Sequence, residues 1–278
     1  MRLAHVSDLH LSDRGRYPRN GYLPRDCDRH SVRLAQRILD EIEAAGVDHL
    51  LVTGDLTLSS ETSEFERAAR LLRKWADAGK LTVVPGNHDV WTADSVKSAR
   101  FLRMIGPDGR GMRRPQASYP FAALPSPEVA IVALDSARFG DAPLDTPGLL
   151  GSAQLQACRE LVREHVKEGR AVLLALHHHI LLPRERIPSD ALVSRMPLRD
   201  ADKLVRMVSD VRVAGVLHGH RHCAFRVDIP GAAGPTPILC AGSASRVADE
   251  PVRRARGFVY EVDRGGIRSV QPVVAARG

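Results

Sequence analysis

The chain contains the stretch Val83-Val84-Pro85-Gly86-Asn87-His88-Asp89, in which an apolar run ends and three polar side chains follow in succession. The two valines suit a strand that is buried on both faces, and Pro85 with Gly86 ends it. Ligands of open α/β sheets gather just beyond such strand ends. An amide, an imidazole and a carboxylate placed there are able to bind a metal and to move protons. Taken alone, the same residues also fit a loop cap around a structural histidine.

The same order of an apolar strand and then polar residues recurs earlier in the chain. Residues 2 to 7 precede Asp8-Leu9-His10, and residues 48 to 53 precede Gly54-Asp55. The intervals between these strands have helical periodicity, at residues 31 to 45 and 61 to 78. The first part of the chain therefore predicts a β-α-β-α-β order, and hence a parallel sheet with right-handed crossovers.

The rest of the chain continues as α/β and finishes as β. Further strands are predicted at 128–134, 171–176 and 211–217, and further helices at 91–105, 152–168 and 200–210, with Ser152 as an N-cap. Alternating stretches predict antiparallel strands near 224–229, 236–241, 257–262 and 267–274. Loop composition marks residues 11–30, 106–127 (a loop or hairpin) and 180–199, the last a candidate substrate-facing loop. We expect one domain over residues 1–278.

Composition argues against several classes of partner and site. The net charge of +7 favours anionic ligands, but aromatic residues make up only 4% and offer few platforms for stacking bases, so we do not expect a nucleic-acid partner. The cysteines form no Cys-x-x-Cys pair and are expected to be reduced: Cys27, Cys158, Cys223 and Cys240. No signal peptide or membrane span is expected, and the expected location is the cytoplasm. The oligomeric state is left open.

Oxygen and imidazole donors collect just past the predicted strands. They are Asp8, His10, Asp55, Asn87, His88, His177, His220 and His222. If the backbone is extended, residues i and i+2 face the same side, so Asp8 with His10 would aim two donors at one point, as would His220 with His222. These donors are too many for one ion and suit two. Imidazole and carboxylate without thiolate favour Mn, Fe or Zn, and two such ions can clamp a phosphoryl group.

Five short motifs in this order resemble those of the calcineurin-like metallophosphoesterases, over residues 1 to about 225. They are Asp8-x-His10, Gly54-Asp55, Gly86-Asn87-His88-Asp89, His177 and Gly219-His220-x-His222. The resemblance implies an α/β fold, a four-layer α/β/β/α sandwich of two mixed β-sheets flanked by helices. It implies one metal position formed by Asp8, His10, Asp55 and His222, and a second formed by Asp55, Asn87, His177 and His220. In the expected mechanism His88 protonates the leaving oxygen and Asp89 holds the tautomer of His88.

Within that family, a second set of residues resembles the bacterial cyclic-nucleotide phosphodiesterases. The set is Leu134-Asp135-Ser136, Gly148-x-Leu150, Gln154-Leu155 and His177-His178-His179. Many members of that branch have a proline soon after the histidines, whereas here Ile180-Leu181-Leu182 comes before Pro183. The resemblance implies a small phosphate-ester substrate, with a 3′,5′-cyclic nucleotide (cAMP) as the best single hypothesis. The alternatives are a broad phosphomonoesterase or diesterase, a nucleotide-sugar pyrophosphatase, a nuclease, and a metal-stabilised binding scaffold.

The remaining polar residues have weaker signals. We expect His178, His179 and His218 to support ligands rather than to bind metal, because the metal positions are already filled. Four further histidines lack partners by spacing and are expected to be structural or solvated: His5, His30, His49 and His165. Asp135 fits a strand cap and a pocket residue equally. Four arginines could contact a phosphate, and the sequence favours none of them over the others: Arg184, Arg186, Arg195 and Arg221.

Overall fold

The computed structural model describes residues 1–12, 30–114, 119–139, 146–182, 196–248 and 251–275. Within these ranges the strands are β1 (Arg2–Val6), β2 (His49–Thr53), β3 (Leu81–Val84), β4 (Phe121–Ser126), β5 (Val129–Ala133), β6 (Ala171–Ala175), β7 (Gly215–His218), β8 (Ala224–Gly231), β9 (Gly234–Ala241), β10 (Arg256–Asp263) and β11 (Gly266–Val274). The α-helices are α1 (Val32–Ala44), α2 (Thr62–Asp77), α3 (Ala93–Lys97), α4 (Arg100–Met104), α5 (Ser152–Lys167) and α6 (Ala201–Asp210).

The first sheet contains the predicted β-α-β-α-β unit and has the strand order β11-β10-β1-β2-β3. β1, β2 and β3 run parallel, as predicted, and β10 joins the other edge of β1 in the antiparallel sense. Helix α1 begins after Ser31, whose side chain accepts a hydrogen bond from Leu34 N. The apolar faces of α1 and α2 pack on this sheet through a cluster that includes Ile38, Phe65 and Trp75.

The second sheet has the strand order β4-β5-β6-β7-β9-β8. Its four inner strands are parallel, and β4 and β8 pair with their neighbours in the antiparallel sense. Helices α5 and α6 pack against it through a cluster that includes Val162, Leu204 and Val208. Every residue of β5 and β6 is buried, as near-continuous apolar strands between two layers require.

The two sheets pack face to face. Side chains of alternate residues, such as Leu51 in the first sheet and Ile131 and Leu173 in the second, form a third apolar cluster between them. The layers are therefore helix, sheet, sheet and helix. This arrangement confirms the predicted α/β/β/α sandwich of two mixed sheets.

Four local predictions need correction. The predicted helix over 91–105 is two short helices, because the backbone at Ala99 turns into the left-handed region (φ 50°). Gly151, not Ser152, is the N-cap of α5. The strand predicted at 211–217 begins only at Gly215. The interval 106–127, predicted as a loop or hairpin, contains β4, which pairs antiparallel with β5 and so fits the hairpin. The region after residue 224 is not wholly antiparallel, since β9 pairs parallel to β7.

Some predictions fall on residues outside the described ranges. These are the greater part of the loops 11–30 and 180–199, together with Cys27, Arg184, Arg186 and Arg195. Across the described part of the chain, no helix combines the length and hydropathy that a membrane crossing requires.

Candidate metal centre

The predicted metal ligands come together where strands of both sheets end. Asp8 and His10 follow β1, Asp55 follows β2, Asn87 follows β3, His177 follows β6, and His220 and His222 follow β7. All except the half-buried His222 are buried. The carboxyl ends of parallel strands meet at one edge of a sheet, and the face-to-face packing of the sheets brings two such edges together.

One group of donors contains Asp8, His10, Asp55 and His222, whose ligand atoms lie within 4.8 Å of one another. Nε2 of His10 is 2.9 Å from Nε2 of His222. Asp8 Oδ1 is 3.0 Å from Nε2 of His222, and Asp55 Oδ2 is 3.4 Å from Nε2 of His10. This group consists of the residues that the resemblance implied for the first metal position.

A second group lies on the other side of Asp55. Asp55 Oδ2 is 3.3 Å from Nε2 of His177. Asn87 Oδ1 is 3.1 Å from that nitrogen and 3.0 Å from Nδ1 of His220. The two ring nitrogens are themselves 3.2 Å apart. Asp55 Oδ2 therefore lies beside both groups, so two ions held by these groups would share Asp55.

Backbone carbonyls set the tautomers of the two imidazoles in the second group. His177 Nδ1 donates to Thr53 O (2.7 Å), and His220 Nε2 donates to Met196 O (3.0 Å). A carbonyl only accepts, so these nitrogens carry the protons. His177 Nε2 and His220 Nδ1 are left to face Asn87, in the orientation that ligation requires.

The backbone at five of the metal-facing residues of the two groups is left-handed and not extended. The positive φ angles belong to Asp8 (53°), His10 (42°), Asp55 (52°), His220 (73°) and His222 (48°). The extended backbone expected at these residues is therefore wrong. Asp8 and His10 nevertheless bring their donors into one group, whereas His220 and His222 belong to different groups. Such conformations cost about 1–3 kcal/mol each and cluster at functional sites. Hydrogen bonds from Asp8 N to Gly54 O and from His10 N to Asp55 O hold two of these turns.

Two motif glycines are required by the close approach of the carboxylates. A Cβ on Gly86 would lie 2.1 Å from Asp55 Oδ1, and one on Gly219 would lie 2.4 Å from Asp8 Oδ2. Neither distance is compatible with a side chain, because the neighbouring atoms belong to buried, fixed residues. The glycines of these motifs thus make room for the metal-facing aspartates.

The electrostatics of the cluster fit metal cations. Burial opposes ionisation of Asp8 and Asp55, yet the surrounding histidines hold the pKa of both carboxyls well below the usual range. Burial lowers the pKa of His177, but the charge of Asp55 outweighs it and raises that pKa to about 9. Asp8 Oδ1 accepts no hydrogen bond from the described residues, although His222 Nε2 is 3.0 Å away. The two buried carboxylates are stabilised by positive charge nearby, and the number of donors suits two ions.

The raised pKa of His177 predicts that metal binding releases a proton. Below pH 9 the metal-free His177 is protonated, and the second metal position needs its lone pair. Apparent metal affinity should therefore rise by about tenfold per pH unit from pH 7 toward 9 and then level off. Calorimetric titrations in buffers of different ionisation enthalpy will count the released proton. Asn87→Ala should weaken binding without changing this slope, and an affinity independent of pH from 7 to 9 would contradict the prediction.

His88 lies beside the cluster, in a 3-10 turn over Asn87–Val90. Its Nδ1 donates to Leu58 O (2.6 Å), and its ring stacks on Trp91 at 4.4 Å. The Asp89 carboxylate is elsewhere: it accepts hydrogen bonds from Gly86 N (2.9 Å), Leu56 N (3.3 Å), Thr57 N (3.0 Å) and Thr57 Oγ1 (2.9 Å). The prediction that Asp89 holds the tautomer of His88 is wrong, because in a 3-10 turn their side chains diverge. Leu58 O holds it, and Asp89 ties the motif to the loop after β2.

The neighbouring histidines are held by other partners. His178 lies 2.9 Å from Ser136 Oγ through Nδ1 and 3.3 Å from Thr146 O through Nε2, so neither nitrogen faces the metal positions. The remaining partners are Tyr260 and Thr53 for His5, Thr82 for His49, Glu168 for His165 and Gly219 O for His218. The ring of His179 stacks on that of His220, with centroids 5.4 Å apart. Arg221 is buried.

His30 is the residue that the sequence did not reveal. Its ring centroid lies 4.4 Å from that of His10 and 5.2 Å from that of His222. A ring nitrogen of each of these three residues lies within 4.8 Å of the others. His30 stands in no motif and follows no strand, so only the folded chain brings it to the cluster.

A cavity of about 520 Å³ opens beside the motif Gly86–Asp89. Pro85 and Val90, which flank the motif, line it together with Phe101, Ala153 and Asp135. Gln154 holds Asp135 in the wall of the cavity. Its side chain accepts a hydrogen bond from Asp135 N and donates one to Asp135 O, both at 2.8 Å. Burial raises the pKa of Asp135 to about 6, although the positive charge of Arg138 acts in the opposite direction. Asp135 thus lines a pocket, one of the two alternatives that its sequence position allowed.

Solved structures share this fold at low sequence identity. A dimetal phosphatase from Danio rerio aligns with a TM-score of 0.60 and 14% identity, over 99% of both chains. A protein from Thermus thermophilus aligns with a TM-score of 0.53 and 10% identity, also over 99% of both chains. The purple acid phosphatase PPD1 from yellow lupin seeds aligns with a TM-score of 0.61 and 10% identity, over 99% of this chain and 53% of its own.

The sequence itself identifies the family. No curated protein matches the chain at a significant level. The family model described as calcineurin-like phosphoesterase matches residues 1–224, a range that contains every motif of the metal centre. The chain therefore belongs to the calcineurin-like phosphoesterase family and is a metal-dependent phosphoric ester hydrolase.

Proposed function

We propose that the protein hydrolyses small phosphodiesters at a dinuclear metal centre, with a 3′,5′-cyclic nucleotide (cAMP) as the preferred substrate. The observation that carries the proposal is the placement of Asp55 Oδ2 between two groups of donors, with the ring of His88 4.7 Å from that of His10. Pro85 and Val90, on either side of the His88 motif, line a cavity. The metals would be Mn, Fe or Zn, and the location cytoplasmic. Asp8, His10, Asp55 and His222 would hold one ion, and Asp55, Asn87, His177 and His220 the other.

Two ions held by these residues would supply Lewis-acid chemistry: they would stabilise charge on a phosphoryl group and lower the pKa of water so that hydroxide is available near neutral pH. Proton transfer to the leaving group would be carried out by a side chain of the protein. His88 Nδ1 is committed to Leu58 O, so Nε2 is the nitrogen that can transfer a proton to the leaving oxygen. Stacking on Trp91 fixes the plane of that ring. A positioned general acid argues against a scaffold whose metals are only structural, because such a site has no use for proton transfer.

The cavity supports a substrate that carries a nucleoside. Its volume of about 520 Å³ falls within the range of small-molecule sites. Apolar side chains such as Val90 and Phe101 suit the faces of a base, and Asp135 and Gln154 offer polar atoms to its edge. The residues that resemble the cyclic-nucleotide branch, Asp135 and Gln154, thus line the cavity. This placement favours a nucleotide over a simple phosphomonoester.

Filling the cavity should separate nucleotide turnover from generic turnover. Ala153 lies in the first turn of α5 and lines the cavity, so Ala153→Trp places an indole where the nucleoside would bind. The KM for a cyclic nucleotide should rise by about tenfold or more, since pocket contacts of this size are worth about 1–3 kcal/mol. The rate with methyl nitrophenyl phosphate should be unchanged, because it has no nucleoside to place. Ser152→Trp, an exposed neighbour outside the cavity, is the matched control; equal effects on both substrates would contradict the assignment.

Turnover of a substrate panel tests the whole proposal. Phosphomonoesters, acyclic diesters, cyclic nucleotides, a nucleotide-sugar pyrophosphate and DNA would each be supplied with Mn²⁺. We expect the highest kcat/KM for a 3′,5′-cyclic nucleotide. Efficient turnover of the nucleotide-sugar pyrophosphate with no turnover of cyclic nucleotides would contradict the proposed substrate. The family membership would still stand. Metal binding without hydrolysis of any ester would favour the scaffold.

A further inference from the structure

We propose that His30 is a further metal-binding residue: a third imidazole at the first metal position, which biases that position toward metals that prefer nitrogen ligands. The first metal position here means Asp8, His10, Asp55 and His222. The inference rests on the metal centre proposed above. Its subject, the ring of His30, lies outside every motif that defines the family resemblance.

The strand-like segment at Ser245 and Arg246 holds His30 in place. His30 pairs with Arg246 in an antiparallel bridge, and Ser31 N donates to Ser245 O (2.8 Å). His30 Nδ1 is 2.8 Å from Ser245 Oγ. Ser245 Oγ in turn donates to Asp8 O (3.1 Å). His30 is thereby fixed to the same turn that presents Asp8.

This network assigns the tautomer of His30. The hydroxyl proton of Ser245 points to Asp8 O, so Ser245 Oγ accepts from His30 Nδ1–H. Nε2 of His30 then carries a lone pair. A metal-binding histidine commonly uses one nitrogen for the ion and donates from the other to an oxygen. His30 has that arrangement, with Ser245 as the oxygen.

The ring of His30 lies beside two imidazoles of the first metal position. His10 and His222 pack against His30 with centroid distances of 4.4 and 5.2 Å, and a ring nitrogen of each of the three lies within 4.8 Å of the others. His30 and His222 are the half-buried members, whereas Asp8 and Asp55 are buried. His30 and His222 thus form the more exposed part of this cluster.

A third imidazole changes which metal the position prefers. Imidazole suits Zn, Fe, Cu and Ni, whereas carboxylate-rich sites suit Mg and Mn. Asp8 and Asp55 with two imidazoles form a mixed site. The addition of His30 moves the donor set toward nitrogen, and so toward Zn²⁺ or Co²⁺ over Mn²⁺.

The experiment compares metal affinities of the full chain and of His30→Asn. The amide nitrogen of asparagine lies near the place of Nδ1, so this variant retains the donor to Ser245 and removes only Nε2. We expect the Zn²⁺ and Co²⁺ affinities of the first position to fall by about tenfold or more, while the Mn²⁺ affinity changes by less than about threefold. Equilibrium dialysis with elemental analysis gives both values. His165→Asn, at the far end of α5, is the matched control.

A second measurement needs no variant. In the proton NMR spectrum of the Co²⁺-loaded wild-type protein, each ligating imidazole contributes one shifted, exchangeable N–H resonance. We expect five such resonances, from His10, His30, His177, His220 and His222. Four resonances, or equal losses of Zn²⁺ and Mn²⁺ affinity in His30→Asn, would overturn the role of His30 while the dinuclear centre stands. A chain that binds no metal would overturn both proposals.

Discussion

Asp55→Asn should nearly abolish hydrolysis, with kcat lowered by about 10³-fold or more, because several kcal/mol of metal-dependent stabilisation is lost. The substitution keeps the shape of the side chain but removes its charge. Asp55 Oδ1 accepts a hydrogen bond from His88 N (2.8 Å), which an amide oxygen can still accept. The other atom, next to His10 and His177, becomes an NH₂ group that cannot bridge two cations. Elemental analysis should show fewer than two ions per chain.

The control for this variant is Asp48→Asn. Asp48 is an exposed residue at the opposite end of the same strand, where its carboxylate accepts from Arg2 N (2.7 Å). This variant should retain both ions and full activity. A fully active Asp55→Asn protein would rule out Asp55 as the shared ligand of two ions, even if its metal content were lower.

The sequence predicted the sheet and the donors because both depend on local signals. Apolar runs such as Leu50–Thr53 and Val83-Val84 end at glycine-containing motifs, and each motif places its donor at the same edge of a sheet. The reason for the glycines needed the structure. Gly86 and Gly219 each face the carboxylate of a residue that is distant in sequence, a contact that no local pattern contains.

The rest of the site depends on contacts between distant segments. Asp89 follows His88 directly, yet the 3-10 turn sends its carboxylate to Leu56 and Thr57, residues of another loop. His30 reaches the cluster through its bridge with Arg246, a residue far along the chain. The left-handed turns at the metal-facing residues are likewise invisible in the sequence, because a positive φ is uncommon for any residue other than glycine.

His88→Ala should remove proton transfer and leave the metal centre intact. Asn87 supplies the donor to the second metal position, while His88 is hydrogen bonded to Leu58 O and stacked on Trp91. We expect two ions per chain and a loss of about 10²- to 10⁴-fold in kcat, which is the usual contribution of a positioned general acid. This outcome differs from that of Asp55→Asn, in which metal and activity are lost together.

Leaving-group dependence separates the acid role of His88 from a role in binding. A nitrophenolate departs without a proton, so the loss in His88→Ala should shrink for a nitrophenyl diester and persist for an alkoxide leaving group. Burial lowers the pKa of His88, an effect that the charge of Asp55 opposes, so its protonated fraction falls as the pH rises through that lowered pKa. The wild-type rate with the alkoxide substrate should therefore decline on the alkaline side, and this decline should vanish in His88→Ala. Equal losses with both leaving groups would rule out the acid role, and loss of metal would make His88 a ligand.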